Sequence, residues 1–359
     1  MKRLAALGAV GILLLSGCAV AIDESGSYHI SDRSDDESEA ESDSLYNAIV
    51  EGLEKNENKI QFNSIIKQDQ IEKVVQRVRK DHPDYFWIDG YTIVSGIKKT
   101  EITFDIINEI SADDLTDMRA ELSAVVDSII AGMPEGLDDY GKTVYIHDYI
   151  IMNTEYDQRG ADSGINGIFG TAYGCLVEGA AICEGYSKAF QYIMDTLGIE
   201  SGIVSGTTVE GSHAWNYVNL SGKYYWLDLT WDDPVAEENS GDTLLHTYCL
   251  IDDERLLRTR VIDKNEGFVP HCYSMDSNYY VKNKSYVTLY SDEALSEIFR
   301  NNADNREAEI MFADENAYNM ALEELFTNQK IWELDPAIGN SGSIDYTVDE
   351  KMYILKISY

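Results

Sequence analysis

The sequence predicts an α+β fold with a central domain between two small α/β modules. Three observations lead there. Apolar residues recur at helical spacing in some windows and at strand spacing in others, so both element types are expected. The two ends of the chain carry similar helix and strand patterns at a constant offset of 250, matching Leu45 with Leu295, Ile60 with Ile310 and Phe62 with Phe312. A length of 359 residues is also more than one domain usually needs, and two or three are expected. With 44% apolar and 11% aromatic residues, the chain can bury real cores. Its 24 tyrosines suit half-buried strand positions better than a glycan-stacking surface.

From the N-terminus, Met1-Lys2-Arg3 is a short cationic start, and Leu4 to Leu15 is an apolar run too short to span a bilayer and remain there. Leu15-Ser16-Gly17-Cys18 follows, and residues 1–18 together resemble a bacterial lipoprotein signal peptide with its lipobox. The resemblance implies a mature chain that begins at Cys18, its thiol carrying diacylglycerol. Such a chain is tethered to the membrane on the extracytoplasmic face, at the cell surface or in the periplasm. Residues 19–44 hold nine Asp and Glu with Ser and Gly between them, the composition of an acidic disordered tether. Overall, 28 Lys and Arg face 64 Asp and Glu, a formal charge of −36. That field repels a phosphate backbone, so no nucleic acid partner is expected.

Residues 45–136 read as the N-terminal α/β module, with helices at Leu45–Lys55 and Gln68–Lys80 and strands at Lys59–Phe62, Tyr85–Val94 and Glu101–Ile107. Residues 288–359 read as its C-terminal counterpart, with helices at Asp292–Arg300 and Asn316–Phe326 and strands at Ala308–Phe312, Ser343–Tyr346 and Lys351–Ser358. Between them, residues 137–287 carry the chemistry. Asp138–Asn153 and Ile182–Leu197 are expected helices, and Ile199–Gly206, His213–Leu220 and Lys223–Leu229 are expected strands. Ser221-Gly222 supplies a two-residue hairpin loop for the last two.

Cys183 opens the second helix, where unpaired amides and the macrodipole favour an anion, so the position suits a nucleophilic thiolate. A buried structural cysteine is the alternative. The hairpin loop makes Leu220 face Lys223, which puts Trp215 opposite Asp228 and His213 opposite Thr230. His213 and Asp228 then share a face as diagonal neighbours, about 7 to 8 Å apart along the backbone, close enough for a carboxylate to reach an imidazole nitrogen. Asp232 has the same parity but lies about 13 Å further along the strand, so Asp228 is the expected orienting residue. His147 and Asp148 are adjacent on a helix and do not face each other, which makes them structural. Trp215, Trp226 and Trp231 read as packing residues.

Three blocks carry a family resemblance: Gly174 to Tyr186 around Cys183, Ser212 to Val218 around His213, and Tyr225 to Pro234 around Asp228. They resemble the signature blocks of the bacterial transglutaminase-like superfamily, and the run Asn153-Thr154-Glu155-Tyr156-Asp157 resembles that family's approach to its nucleophile. The resemblance implies a papain-like core with a Cys-His-Asp triad. Cys183 matches the nucleophile, His213 the general base and acid, and Asp228 the residue that orients the imidazole. It also implies acyl transfer through a thioester, with the oxyanion held by the Cys183 amide and one further donor. Tyr173, in an apparent loop just upstream, is the candidate for that donor, with packing as its other reading.

A protein or peptide substrate is therefore expected, with hydrolysis as a peptidase or amidase preferred to crosslinking by a transglutaminase. A non-catalytic surface binding lipoprotein is the reading from another class. Neither cofactor nor metal is expected, since the cysteine spacings match no zinc site and no Asp-rich loop has EF-hand spacing. Cys175 is left as an inert buried thiol, a disulfide partner of Cys249 or Cys272, or a resolving thiol.

Overall fold

The computed structural model describes residues 18–22, 28–107, 110–111, 114–158, 160, 167–233, 244–264, 267–334 and 336–359. The expected signal peptide before Cys18, and Pro234, lie outside them. The chain divides into two compact units, Met1–Ile106 and Ile107–Tyr359.

In the first unit, β1 (Cys18–Ile22) pairs antiparallel with β2 (Tyr28–Asp32), and α1 (Arg33–Glu54) follows. Of the segment 19–44, residues 19–22 and 28–44 are described and fall in these elements. Next come β3 (Lys59–Phe62), α2 (Gln68–Asp81), β4 (Ile88–Ser95) and β5 (Thr100–Ile106), with an antiparallel sheet in the order β3-β5-β4. Ile71, Val74, Val75 and Val78, spaced to share one helix face, are the buried stripe of α2.

The second unit starts with α3 (Leu115–Ala131), which sequence reading grouped with the N-terminal module. Its apolar stripe shows that one face is covered but not by what; here Glu121 of α3 accepts a hydrogen bond from the Tyr173 hydroxyl, 2.6 Å. After α4 (Asp139–Asn153), β6 (Glu155–Tyr156) pairs with β7 (Ala180–Ala181), which leads into α5 (Cys183–Thr196). Tyr186, Ala189, Phe190, Ile193 and Met194 form the buried face of α5. That face covers β8 (Ser201–Thr208) and β9 (Gly211–Leu220) in a five-stranded sheet completed by β10 (Lys223–Leu227), β11 (Cys249–Ile251) and β12 (Val261–Ile262), in the order β11-β10-β9-β8-β12. Ser221 and Gly222 both have positive φ, 55° and 83°, as a type I′ hairpin turn requires. The register is the expected one, Lys223 opposite Leu220 through Leu227 opposite Asn216.

Gly206 lies where β8 meets both neighbours, opposite His213 on β9 and Ile262 on β12. A Cβ at this position would come within 2.2 Å of the Val261 carbonyl oxygen and 2.5 Å of the Trp215 ring. Only glycine lets β12 approach this closely.

The C-terminal part adds α6 (Tyr279–Lys282), β13 (Tyr286–Val287), α7 (Asp292–Asn301), β14 (Glu307–Phe312), α8 (Glu315–Leu322), β15 (Asp345–Asp349) and β16 (Ile354–Ser358), with sheet order β13-β14-β16-β15. Its inner order β14-β16-β15, all antiparallel, repeats the first-third-second arrangement of β3-β5-β4. Leu295, Phe299, Ile310, Phe312, Leu355 and Ile357 make its core. Met311, Met352 and Ile354 join a second cluster with Val204, Trp215 and Trp226, so one apolar core crosses the boundary drawn at 287/288 from sequence.

Candidate active site

Cys183 is the first residue of α5, and the extended backbone of Ile182 (φ −98°, ψ 176°) ends the approach to the helix. The helix begins pressed against the preceding turn: a Cβ on Gly185 would lie 2.5 Å from the Phe169 carbonyl oxygen. Of the cysteines with described side chains, Cys183 alone is partly exposed; Cys175, Cys249 and Cys272 are buried, and all four are free thiols. Burial pushes the Cys175 thiol up to about 12, although its hydrogen bond with Thr154 works the other way, and burial raises Cys249 and Cys272 as well. Cys175, Cys249 and Cys272 are not joined, so of the alternatives for Cys175 the inert buried thiol and the resolving thiol remain.

His213 on β9 donates from Nε2 to Oδ2 of Asp228 at 2.8 Å, and Asp228 sits one residue beyond β10. The Cys183 side chain lies close enough to the ring to raise the imidazole's pKa. Because Nε2 is taken by the carboxylate, Nδ1 is the ring nitrogen left to meet the sulfur. The imidazole is held between aromatic rings, near-parallel to Trp215 at 5.9 Å and tilted to Trp231 at 6.3 Å. Trp215 and Trp231 thus frame the imidazole, and Trp226 is buried in the core.

Asp228 has a further partner that sequence reading missed. Arg260, the residue before β12, donates from Nε to Asp228 Oδ2 at 2.9 Å and from Nη2 to the same oxygen. Its guanidinium packs over the rings of Trp231, 4.5 Å, and Tyr248, 3.8 Å. The Trp231 amide donates to the other carboxylate oxygen, Oδ1, at 3.3 Å. Burial pushes the Asp228 carboxyl up, but His213 and Arg260 outweigh it and hold it down at about 2. Burial likewise disfavours charge on His213, yet the Asp228 carboxylate and the Cys183 side chain raise the imidazole to about 9. The only hint of Arg260 in the sequence is generic: a buried, ionised carboxylate needs a countercharge, and nothing local says which arginine provides it.

Asp232 is absent from this cluster. It accepts instead from His147, whose Nε2 lies 3.1 Å from its Oδ2, and from the Tyr248 amide at 2.9 Å. His147 and Asp148, expected not to meet, are bonded from Nδ1 to Oδ1 at 2.8 Å; their positions differ by about 100° around the helix, but a carboxylate turned sideways spans that gap. The same Oδ1 takes Nε2 of His246 at 2.9 Å. Tyr173 is corrected too: it is buried, and its single hydroxyl proton goes to Glu121, which removes it as an oxyanion donor.

Residues 127–230 match the family model of the transglutaminase-like superfamily. Among solved structures, the chain is similar to a crystal structure of a TGase, with 13% identity, 51% of this chain and 53% of that chain covered, and a TM-score of 0.30. It spans about half the length of that protein. A second similar structure is described as a candidate cysteine protease from Cytophaga hutchinsonii, with 11% identity, 53% of this chain and 80% of that one covered, and a TM-score of 0.28. No curated protein gives a significant match.

Proposed function

We propose that the chain, whose residues 127–230 match the transglutaminase-like superfamily model, is a cysteine acyl-transfer enzyme acting on peptide or amide bonds, with water as the preferred acceptor. One observation carries the reading: His213 is hydrogen-bonded to Asp228 and has the Cys183 side chain close enough to raise its pKa. In the first half-reaction the Cys183 sulfur attacks the carbonyl carbon while His213 delivers its proton to the departing amine, leaving a thioester. In the second, His213 takes a proton from water, which displaces the sulfur and releases the acid. Proton transfer of this kind is worth about 10²- to 10⁴-fold in rate. Asp228 keeps the ring oriented through Nε2, and the Cys183 amide at the start of α5 is the assigned oxyanion donor.

Partial exposure of Cys183 favours hydrolysis, because a crosslinking enzyme must keep water from its thioester. The test is mass spectrometry of a peptide mixture treated with wild type and with Cys183→Ala. Cysteine-dependent cleavage supports the proposal, cysteine-dependent joining makes the enzyme a transglutaminase, and no difference leaves a binding protein. For the cell, the N-terminal segment supports an extracytoplasmic membrane anchor at Cys18, tested by metabolic labelling with palmitate and its loss in Cys18→Ala.

A further inference from the structure

A second constellation in this unit has no role in the acyl-transfer chemistry. Among the described residues, His147, Asp148 and His246 are the one group of three whose ligand-type atoms all lie within 4.8 Å of one another. We infer that they form a binding site for a divalent transition-metal ion of the zinc type, which ties α4 to the segment that follows β10.

The convergence of atoms is the first reason. Nδ1 of His147 and Nε2 of His246 approach the same carboxylate oxygen, Asp148 Oδ1, at 2.8 and 2.9 Å. Two imidazoles and a carboxylate are a donor set that zinc takes, with bonds of about 2.0 to 2.2 Å and ligand atoms roughly 3.4 Å apart in a tetrahedron. The carboxylate need retreat by only about half an ångström to admit the ion.

The surroundings are the second reason. Asp232, fully buried, engages the other ring nitrogen of His147 at 3.1 Å. A ligating histidine typically has such a partner, because a carboxylate on the far nitrogen fixes the tautomer and points the near lone pair at the metal. With carboxylates on both ring nitrogens, the Nδ1 side of His147 is built to hold a cation, and a metal ion there takes the place of a proton. The ring of His246 lies flat on Tyr279 of α6 at 3.5 Å, which fixes its direction. Asp148 and Asp232 bring two negative charges, and a divalent ion held by neutral imidazoles balances them. His147 and His246 are buried, while Asp148 is about one-third exposed at 34%, which gives the ion an entry path and a water its place as fourth ligand.

Its consequence reaches the triad. Asp232 lies four residues after Asp228, and its amide donates to the Asp228 carbonyl at 3.2 Å. An ion that locks His147 also locks Asp232, and with it the segment carrying the residue that orients His213.

The test uses the full chain bearing Cys183→Ala, so that the thiol and imidazole of the acyl-transfer site cannot hold the metal. After dialysis against a chelator, Zn²⁺ is titrated by calorimetry and Co²⁺ by visible absorption. One equivalent per chain, a tetrahedral Co²⁺ spectrum and a rise in Tm with Zn²⁺ are expected. His246→Gln should weaken binding by about 100-fold, and Asp232→Asn by about 10- to 100-fold. Zinc-edge X-ray absorption should find two imidazoles and no sulfur, a readout that needs no variant to fold. Absence of stoichiometric uptake, a sulfur ligand, or unchanged affinity in a folded His246→Gln would each overturn the site.

Discussion

The second unit holds two histidine–carboxylate constellations at opposite ends of the five-residue run from Asp228 to Asp232, built from the same residue types and set to different tasks. Around His213, one ring nitrogen has a carboxylate and the side chain also meets a thiol, while the carboxylate is shared with Arg260. Around His147, both ring nitrogens have carboxylates. Basicity does not separate the two: burial opposes charge on each ring, and neighbouring carboxylates outweigh it to raise both to about 9. Partners do. A histidine with a thiol beside it can pass its proton to a reaction, whereas one between two carboxylates can only hold a cation, whether proton or metal.

The sharpest way to break this contrast is to remove the thiol. Cys183→Ala should lower peptide cleavage by about 10⁴-fold or more with the far-ultraviolet circular dichroism unchanged. Asp228→Asn should cost up to about 10⁴-fold by leaving His213 in the wrong tautomer, while Zn²⁺ uptake by the other cluster persists. If instead activity survives Asp228→Asn and falls in Asp232→Asn, the assignment of the two carboxylates is reversed.

A smaller effect sharpens the role of Arg260. Wild-type activity should fall as pH rises past about 9, where His213 loses the proton it gives to the leaving amine. Arg260→Met removes a cation that disfavours the imidazolium, so that limb should move to higher pH. The same substitution uncovers the buried Asp228 charge and should cost about 3 to 5 kcal/mol in urea unfolding. Smallest of all is the dependence of Tm on pH. Since His213 is raised from 6.5 to about 9, its contribution is complete below 6.5 and is lost as pH rises through about 9. His147 has the same sign. Tm should therefore decline between these values, and more gently in His213→Gln. Asp228, held down at about 2, keeps its contribution above the usual carboxylate range and loses it only as pH falls through about 2.

Much of this was legible in the residues. The turn Ser221-Gly222 fixes the β9–β10 register over its five pairs, from Leu220 opposite Lys223 to Asn216 opposite Leu227, and Asp228, the next residue, reaches His213. The strand orders β3-β5-β4 and β14-β16-β15 share one first-third-second arrangement. Arg260 was not, since it precedes β12, a strand joined to β8 at the far edge of the sheet. Nor was the bond between His147 and Asp148, which depends on side-chain rotation and on His246 arriving from a distant segment. Tyr173 misled because a loop position says nothing about which helix its hydroxyl will meet.

The missing side chain at Gly206 sets the gap between two strands, and that gap decides whether a guanidinium arrives within bonding range of a carboxylate on a third. A single methyl there would act as a shim. Gly206→Ala should therefore reproduce the Arg260→Met shift in the alkaline limb without altering any polar group, making the chemistry of the triad answerable to a clearance of a few tenths of a nanometre.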